Sequence, residues 1–128
     1  PQAASIASLP SAVAAARAVP QAVRDGACNE GDACLWYLSD FRGSVYDNSH
    51  NEPNLVNNRF ISAGLGQLAQ VGNDAESVFN QDGAVALVVC TGPTYTGTCG
   101  TVPPFTGGTL TSTYFNNVES FYWADSAN

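Results

Sequence analysis

Residues 72–80, GNDAESVFN, decide the fold because a close variant, FNNVESFYW, returns at residues 115–123. Aligned on their serines, both stretches have Asn or Asp twice, then two variable residues, then Ser, with an aromatic close behind. We call residues 73–77 the first polar motif and residues 116–120 the second polar motif. A polar sequence that occurs twice in a chain of 128 residues predicts an internal duplication of one structural unit.

A matching hairpin precedes each polar motif. The first is LWYLSDFRGSVY at residues 35–46, and the second is VVCTGPTYTGTC at residues 88–99. Each has an apolar strand, a turn and an aromatic-x-Gly sequence, formed by Phe41 with Gly43 and by Tyr95 with Gly97. Glycine permits the positive φ of a folded-over hairpin, and the aromatic two residues earlier can cover the turn. The duplicated unit therefore spans about residues 33–80 and then about residues 84–124.

The body of the chain has the pattern of an all-β domain. Short segments rich in β-branched and aromatic residues alternate with Gly, Pro, Asn and Asp, at residues 34–38, 44–47, 77–80, 84–90, 109–115 and 119–124. Alternation along residues 111–115 predicts a strand with one buried and one wet face. Residues 61–71, ISAGLGQLAQV, form either a short helix or an irregular connection. Short strands separated by turns predict a β-sandwich.

The chain divides into an N-terminal extension, residues 1–25, and a single domain, residues 26–128. The extension is rich in Ala, with Ser8 or Ser11 as helix N-caps and Pro20 as a helix breaker. Two interpretations remain open for it. It is either a flexible extension or leader remnant, or an amphipathic element that docks on the domain or mediates self-association.

The four cysteines occur as two close pairs, Cys28 with Cys34 and Cys90 with Cys99. Their spacings do not match zinc motifs, and His50 lies far from both pairs. An even count in a chain of low charge favours two disulfides, for which local pairing is the simplest of the three connectivities. An oxidising, extracellular location follows. The missing initiator Met and signal-peptide core predict a processed, secreted chain.

Composition and motifs argue against several classes of function. The net charge is −7 with no Lys, which disfavours nucleic acid and anionic membranes as partners, and no apolar run approaches the roughly 20 residues of a membrane span. No catalytic motif is present, and His50 lies in a polar loop, so we predict no enzyme activity. The scattered carboxylates show no pairing in the sequence; they are Glu30, Asp32, Asp47, Glu52 and Asp82.

The two aromatic-x-Gly hairpins and the two polar motifs together resemble the βγ-crystallin fold, in which two Greek-key motifs form one sandwich. Among proteins of this fold, a cysteine-bearing, secreted, single-domain chain is similar to the bacterial Streptomyces metalloproteinase inhibitor family and its killer-toxin-like relatives. The resemblance covers nearly all of residues 28–124. It implies that the N-terminal extension is followed by one all-β, βγ-crystallin-like sandwich.

The resemblance also implies calcium, because calcium-binding βγ-crystallins build two sites from paired motifs of this kind. One site would take the Ser77 hydroxyl, the Ala75 carbonyl and Asn117. The other would take the Ser120 hydroxyl, the Val118 carbonyl and Asp74. Backbone carbonyls of Tyr37 and Thr91 would add to these sets. Ca²⁺ accepts such neutral oxygens. The alternative is that Asn and Asp only brace the turns, with no metal.

Two classes of function remain. In the first, the chain inhibits a secreted metalloprotease through a rigid, substrate-like loop, a role that the resemblance implies for Cys90, Thr91, Gly92, Pro93, Thr94 and Tyr95. A rigid loop loses little entropy on binding. The alternative for this segment is that the disulfide only staples a hairpin. In the second class, the chain is a non-inhibitory structural, self-assembling or toxin-like module, stabilised by calcium and disulfides.

Overall fold

The computed structural model describes residues 24–126. Seven strands form two antiparallel sheets. They are β1 (Ala33–Leu38), β2 (Arg42–Asn48), β3 (Ser77–Asn80), β4 (Leu87–Cys90), β5 (Cys99–Val102), β6 (Thr106–Thr109) and β7 (Ser120–Trp123). The first sheet has the order β2-β1-β3-β6, and the second has the order β5-β4-β7. Within the described residues, the helical elements are single 3₁₀ turns, including Ser39–Phe41 and Pro93–Tyr95.

The two halves of the domain interlock by exchanging strands. Strand β6, from the second half, pairs with β3 of the first half. In return, Glu52 of the first half forms a β-bridge with Phe121 of β7, and Leu55 donates a backbone hydrogen bond to the Glu119 carbonyl. Each Greek key therefore completes the sheet of the other. This arrangement confirms the predicted all-β, crystallin-like sandwich.

Apolar side chains from both sheets fill the core between them. Leu35, Val78, Val89 and Phe121 are fully buried there. A second cluster lies on the opposite face of the first sheet and consists of Cys34, Trp36, Val45 and Phe79, with Cys28 and Phe41 packed against it. Full burial of one such large apolar side chain contributes about 1.5–3 kcal/mol. The first sheet is thus covered on both faces.

The strand predicted over residues 109–115 is wrong beyond its start, because only Thr109 belongs to a strand, as the last residue of β6. The chain turns there, because Tyr114 and Phe115 both donate backbone hydrogen bonds to the Thr111 carbonyl. Of the alternating side chains, only Tyr114 is buried. The real strand, β6, has the sequence TGGT, which is a poor β-former. A Cβ at Gly107 would lie 2.2 Å from the Val78 carbonyl oxygen, so this close pairing of β6 with β3 requires glycine.

Residues 61–71 form an irregular connection with turns, which decides between the two predicted alternatives. This connection exposes Leu65 and Leu68, at 69% and 66% of their surface. The helix and self-association predicted for residues 1–25 lie almost wholly outside the described residues. Over the described part of the chain, no helix has the length and apolarity to span a membrane.

Candidate functional site

The shared serine of each polar motif holds a folded-over hairpin. The Ser77 hydroxyl donates to the Leu38 carbonyl at 2.7 Å and accepts from the Phe41 amide at 3.0 Å. In the other half, the Ser120 hydroxyl donates to the Gly92 carbonyl at 2.7 Å and accepts from the Tyr95 amide at 2.9 Å. Both serines are fully buried. Each hydroxyl, predicted as a calcium ligand, is therefore already engaged in bracing its hairpin.

The two hairpins have the same unusual backbone. Phe41 and Tyr95 have φ values of 60° and 63°, and Gly43 and Gly97 both have a φ of 80°. The positive φ expected at both glycines is present. Each aromatic also covers its hairpin: Phe41 packs edge-on against Phe79, and Tyr95 packs edge-on against Tyr122, with ring centroids 6.0 Å and 5.3 Å apart. The sequence repeat thus corresponds to a repeat in three dimensions.

The two polar motifs lie side by side and exchange backbone hydrogen bonds. Asn73 of the first motif donates its amide to the Val118 carbonyl at 3.0 Å. Asn116 of the second donates its amide to the Ala75 carbonyl at 2.9 Å. The two carbonyls predicted as calcium ligands, those of Ala75 and Val118, therefore each accept a hydrogen bond from the opposite motif.

The structure brings the other predicted ligands together only in part. The Asn117 side chain donates to the Thr113 carbonyl, within its own turn, and does not bond to the first motif. Asp74 is half-buried, and its backbone amide donates to the Val71 carbonyl. Tyr37 follows Trp36, whose carbonyl accepts the backbone amide of Glu76. Thr91 follows Cys90, whose carbonyl accepts the backbone amide of Glu119. These carbonyls thus lie at the same end of the sandwich as the motifs.

Glutamates that the sequence analysis did not select occupy the centre of this region. The Glu76 carboxylate accepts hydrogen bonds from the amide and the hydroxyl of Ser39, both at 2.9 Å. Glu119, its equivalent, accepts instead from the side-chain amide of Asn73 at 3.0 Å, across the two motifs. In the described part of the chain, no hydrogen-bond partner reaches the buried Asn73 Oδ1 atom. The signal was present in the sequence, because Glu precedes the serine in both motifs.

The second hairpin is stapled and rigid. Its ends are joined by the Cys90–Cys99 disulfide, the local pairing that the sequence favoured. Inside it, Thr91 donates to the Thr98 carbonyl at 3.0 Å, and Gly92 donates to the Thr96 carbonyl at 2.9 Å. The hairpin is also tied to the first half of the chain, because the Thr94 amide donates to the Pro53 carbonyl at 2.8 Å.

Exposure varies along the predicted inhibitory segment, residues 90–95. Cys90 is fully buried, and its carbonyl accepts the Glu119 amide, whereas Pro93 and Thr94 are exposed. The exposed surface continues through residues 96–99.

Three carboxylates also meet at the other end of the first sheet, where the Cys28–Cys34 disulfide anchors the chain before β1. Asp25, Asp32 and Asp47 each have a carboxylate oxygen within 4.8 Å of the others. Burial raises the pKa of Asp32 to about 8 and the pKa of Asp47 to about 6, while backbone hydrogen bonds to each carboxyl lower them in part. No proximity of these residues was visible in the sequence.

Two interlocked Greek keys with serine-braced hairpins define a βγ-crystallin-type domain. The chain belongs to peptidase inhibitor family I36, whose family model matches residues 21–102. This match confirms the resemblance to the Streptomyces metalloproteinase inhibitor family and indicates a non-enzymatic protein with a protease as its partner. A search of curated protein sequences found no significant match.

Two solved structures share the fold. One, from work described as "Evolution of the eye lens beta-gamma-crystallin domain fold", has a TM-score of 0.61 and 12% identity, over 80% of this chain and 93% of that chain. The other is the N-terminal domain of Protein S, with a TM-score of 0.55 and 18% identity, over 76% of this chain and 99% of that chain. At such identities the likeness concerns the fold alone.

Proposed function

We propose that the chain is a secreted inhibitor that blocks an extracellular metalloprotease with its stapled second hairpin. Membership of an inhibitor family is the observation that carries this proposal. The two disulfides support an extracellular location, because such bonds persist in oxidising compartments.

The second hairpin is rigid, which favours its binding to a protease. A loop that is already ordered loses little conformational entropy on binding, and a cleaved loop with tied ends does not separate. The disulfide, the internal hydrogen bonds and the Ser120 hydroxyl all restrain this hairpin. The burial of Cys90 supports contacts through the exposed residues 93, 94 and 96–99 and disfavours direct attack at the Cys90 carbonyl.

Calcium is the second part of the proposal, with ligands shifted from those expected. The orphaned, buried Asn73 Oδ1 and the nearby Glu119 carboxylate are oxygens of the kind that Ca²⁺ prefers. They come from opposite motifs, so a bound ion would join the two Greek keys. Glu76, the equivalent residue in the other half, is less suitable as a ligand, because its carboxylate already accepts two hydrogen bonds from Ser39. We therefore propose one calcium site here.

A titration of the protein into a fixed amount of a thermolysin-type metalloendopeptidase tests the inhibitory function. We expect stoichiometric loss of protease activity. Thr94→Arg places a bulky cation on the exposed second hairpin and should weaken inhibition at least about tenfold, or about 1.4 kcal/mol. Asp40→Arg makes a matched change, because Asp40 and Thr94 have φ values of 57° and 52° in equivalent, exposed turns.

Asp40→Arg should inhibit like the wild type. A protein that leaves the protease fully active at micromolar excess would refute the inhibitory function and favour the calcium-stabilised structural module. Equal losses in the two variants would refute the hairpin assignment alone.

A further inference from the structure

The three carboxylates at the start of the first sheet form a cluster that the polar motifs and the inhibitory hairpin do not explain. Asp47 on β2 lies opposite Cys34 on β1, and its carboxylate accepts the backbone amides of Asp25 and Gly26 at 3.1 Å and 2.6 Å. Asp32, one residue before β1, accepts the amide of Asn29 at 2.9 Å. Asp32 and Asp47 are fully buried, and Asp25 is exposed.

A buried neutral side chain, that of Gln81, pairs across the sheet with one member of this cluster, Asp32. The side chain of Gln81 is 1% exposed, and its Oε1 atom has no hydrogen-bond partner within residues 24–126. Gln81 extends the pairing of β3 with β1 by one residue, because its amide donates to the Asp32 carbonyl at 2.9 Å. Side chains opposite each other on antiparallel strands leave the same face about 5 Å apart. The side chains of Gln81 and Asp32 therefore leave the same face of the sheet as neighbours.

We propose that Asp25, Asp32, Asp47 and the Gln81 side-chain oxygen bind a divalent cation, with Ca²⁺ as the best-suited ion. When they are ionised, three carboxylates held within 4.8 Å repel one another, and a bound cation offsets both this repulsion and the cost of burying charged oxygens. The same ion would give the buried Gln81 oxygen the partner that it lacks.

The chemistry of these four ligand groups favours Ca²⁺ over Mg²⁺ and Zn²⁺. All four groups are hard oxygen donors, and Ca²⁺ takes six to eight such ligands in flexible geometry, with water at the open positions. Mg²⁺ demands a tighter octahedron and retains most of its water, and Zn²⁺ favours nitrogen and sulfur ligands. The exposed Asp25 leaves the cluster open to solvent.

This cation site is separate from the one proposed between the polar motifs. The cluster surrounds the start of β1, since Asp32 precedes this strand and Asp47 lies opposite Cys34, whereas the Glu76 amide of the first motif donates to the carbonyl of Trp36, towards the other end of β1. Asp32 and Trp36 are four residues apart along this extended segment, which corresponds to about 13 Å. The inference does not rest on protease inhibition, and it predicts that calcium fixes residues 25–28 on the first sheet.

Calorimetric titration of the full chain with CaCl₂ tests the site. We expect Asp25→Ala to weaken one binding event at least tenfold, while the exposed control Asp125→Ala leaves the isotherm unchanged. Asp25 is on the surface, so the variant should fold; a thermal melt in EDTA that matches the wild type verifies this. Asp47→Ala should abolish the same event but also removes two backbone hydrogen bonds.

Glu119→Gln separates the two calcium sites. It should leave the event that depends on Asp25 intact, whatever it does to binding between the polar motifs. The proposal is overturned if wild type and Asp25→Ala give the same isotherm, or if the wild type gives no calcium heat beyond that removed by Glu119→Gln.

Discussion

The first and second hairpins have the same backbone but different side chains around it. In the first, Ser39 satisfies the Glu76 carboxylate. In the second, Pro93 stands at the equivalent position, where it offers neither an amide hydrogen nor a hydroxyl, and Glu119 binds Asn73 across the motifs. The shared residues therefore build the fold, and the residues that differ make the second hairpin the better candidate for function.

The largest expected effect is a dependence of stability on pH, and it arises from Asp32 and Asp47 beside the first hairpin. Folding raises the pKa of Asp32 to about 8 and of Asp47 to about 6, from 3.8 in the unfolded chain. Their stabilising contribution is complete below pH 3.8 and is lost as pH rises through these folded-state values. In EDTA, we expect the melting temperature to fall between pH 4 and pH 8. The double variant Asp32→Asn/Asp47→Asn should flatten this slope, and an unchanged slope would contradict the prediction.

Loss of either hairpin serine should come next in size. Ser77→Ala and Ser120→Ala each leave a buried amide and a carbonyl without their hydrogen-bond partner, which costs about 2–4 kcal/mol. Urea denaturation measures the loss in both variants. Similar values would support equivalent structural roles for the two serines. A near-neutral result for either would show that water replaces the hydroxyl there.

Removal of either disulfide should lower stability, but removal of only one of them should also reduce protease inhibition. Both close short loops, with sequence separations of 6 and 9, so each double Cys→Ala variant should lose about 2–3 kcal/mol of unfolding free energy. Only the Cys90→Ala/Cys99→Ala variant should also lose inhibition, because its disulfide restrains the exposed hairpin. Protease titration under conditions where both variants remain folded gives the comparison. Equal inhibition by the two double variants would contradict a role for the Cys90–Cys99 disulfide in protease binding.

The sequence predicted those parts of the fold that depend on local pattern. The repeated Asn/Asp and Ser positions and the glycines at 43 and 97 predicted the duplication and its folded hairpins. The prediction failed at residues 109–115, where polar–aromatic alternation fits a strand but the backbone of Thr111 closes a turn. It also missed β6, because Gly107 is selected by the close approach of β3 and not by strand propensity.

The candidate sites were less predictable because they depend on contacts between distant segments. The assignment of Ser77 as a metal ligand could not anticipate that its hydroxyl faces Leu38 and Phe41. The acidic cluster likewise exists only once the segment before β1 lies against β2. Glu76 and Glu119 have different hydrogen-bond partners because the facing hairpin has Ser39 in one half and Pro93 in the other. No local pattern in the sequence reveals this difference.

The smallest expected effect concerns calcium at the second polar motif, and the variant Pro93→Ser makes the two hairpins alike. A serine at position 93 would offer Glu119 the same amide and hydroxyl that Ser39 offers Glu76. The carboxylate would then be partly engaged, so calcium affinity should fall, although less than the roughly tenfold loss expected for Glu119→Gln, which removes a ligand charge. Conversely, Ser39→Pro should free the Glu76 carboxylate and add a new calcium-binding event at the first motif. Calorimetry on both exchanges decides the matter, because unchanged isotherms in both would mean that the residue facing the glutamate does not control calcium binding.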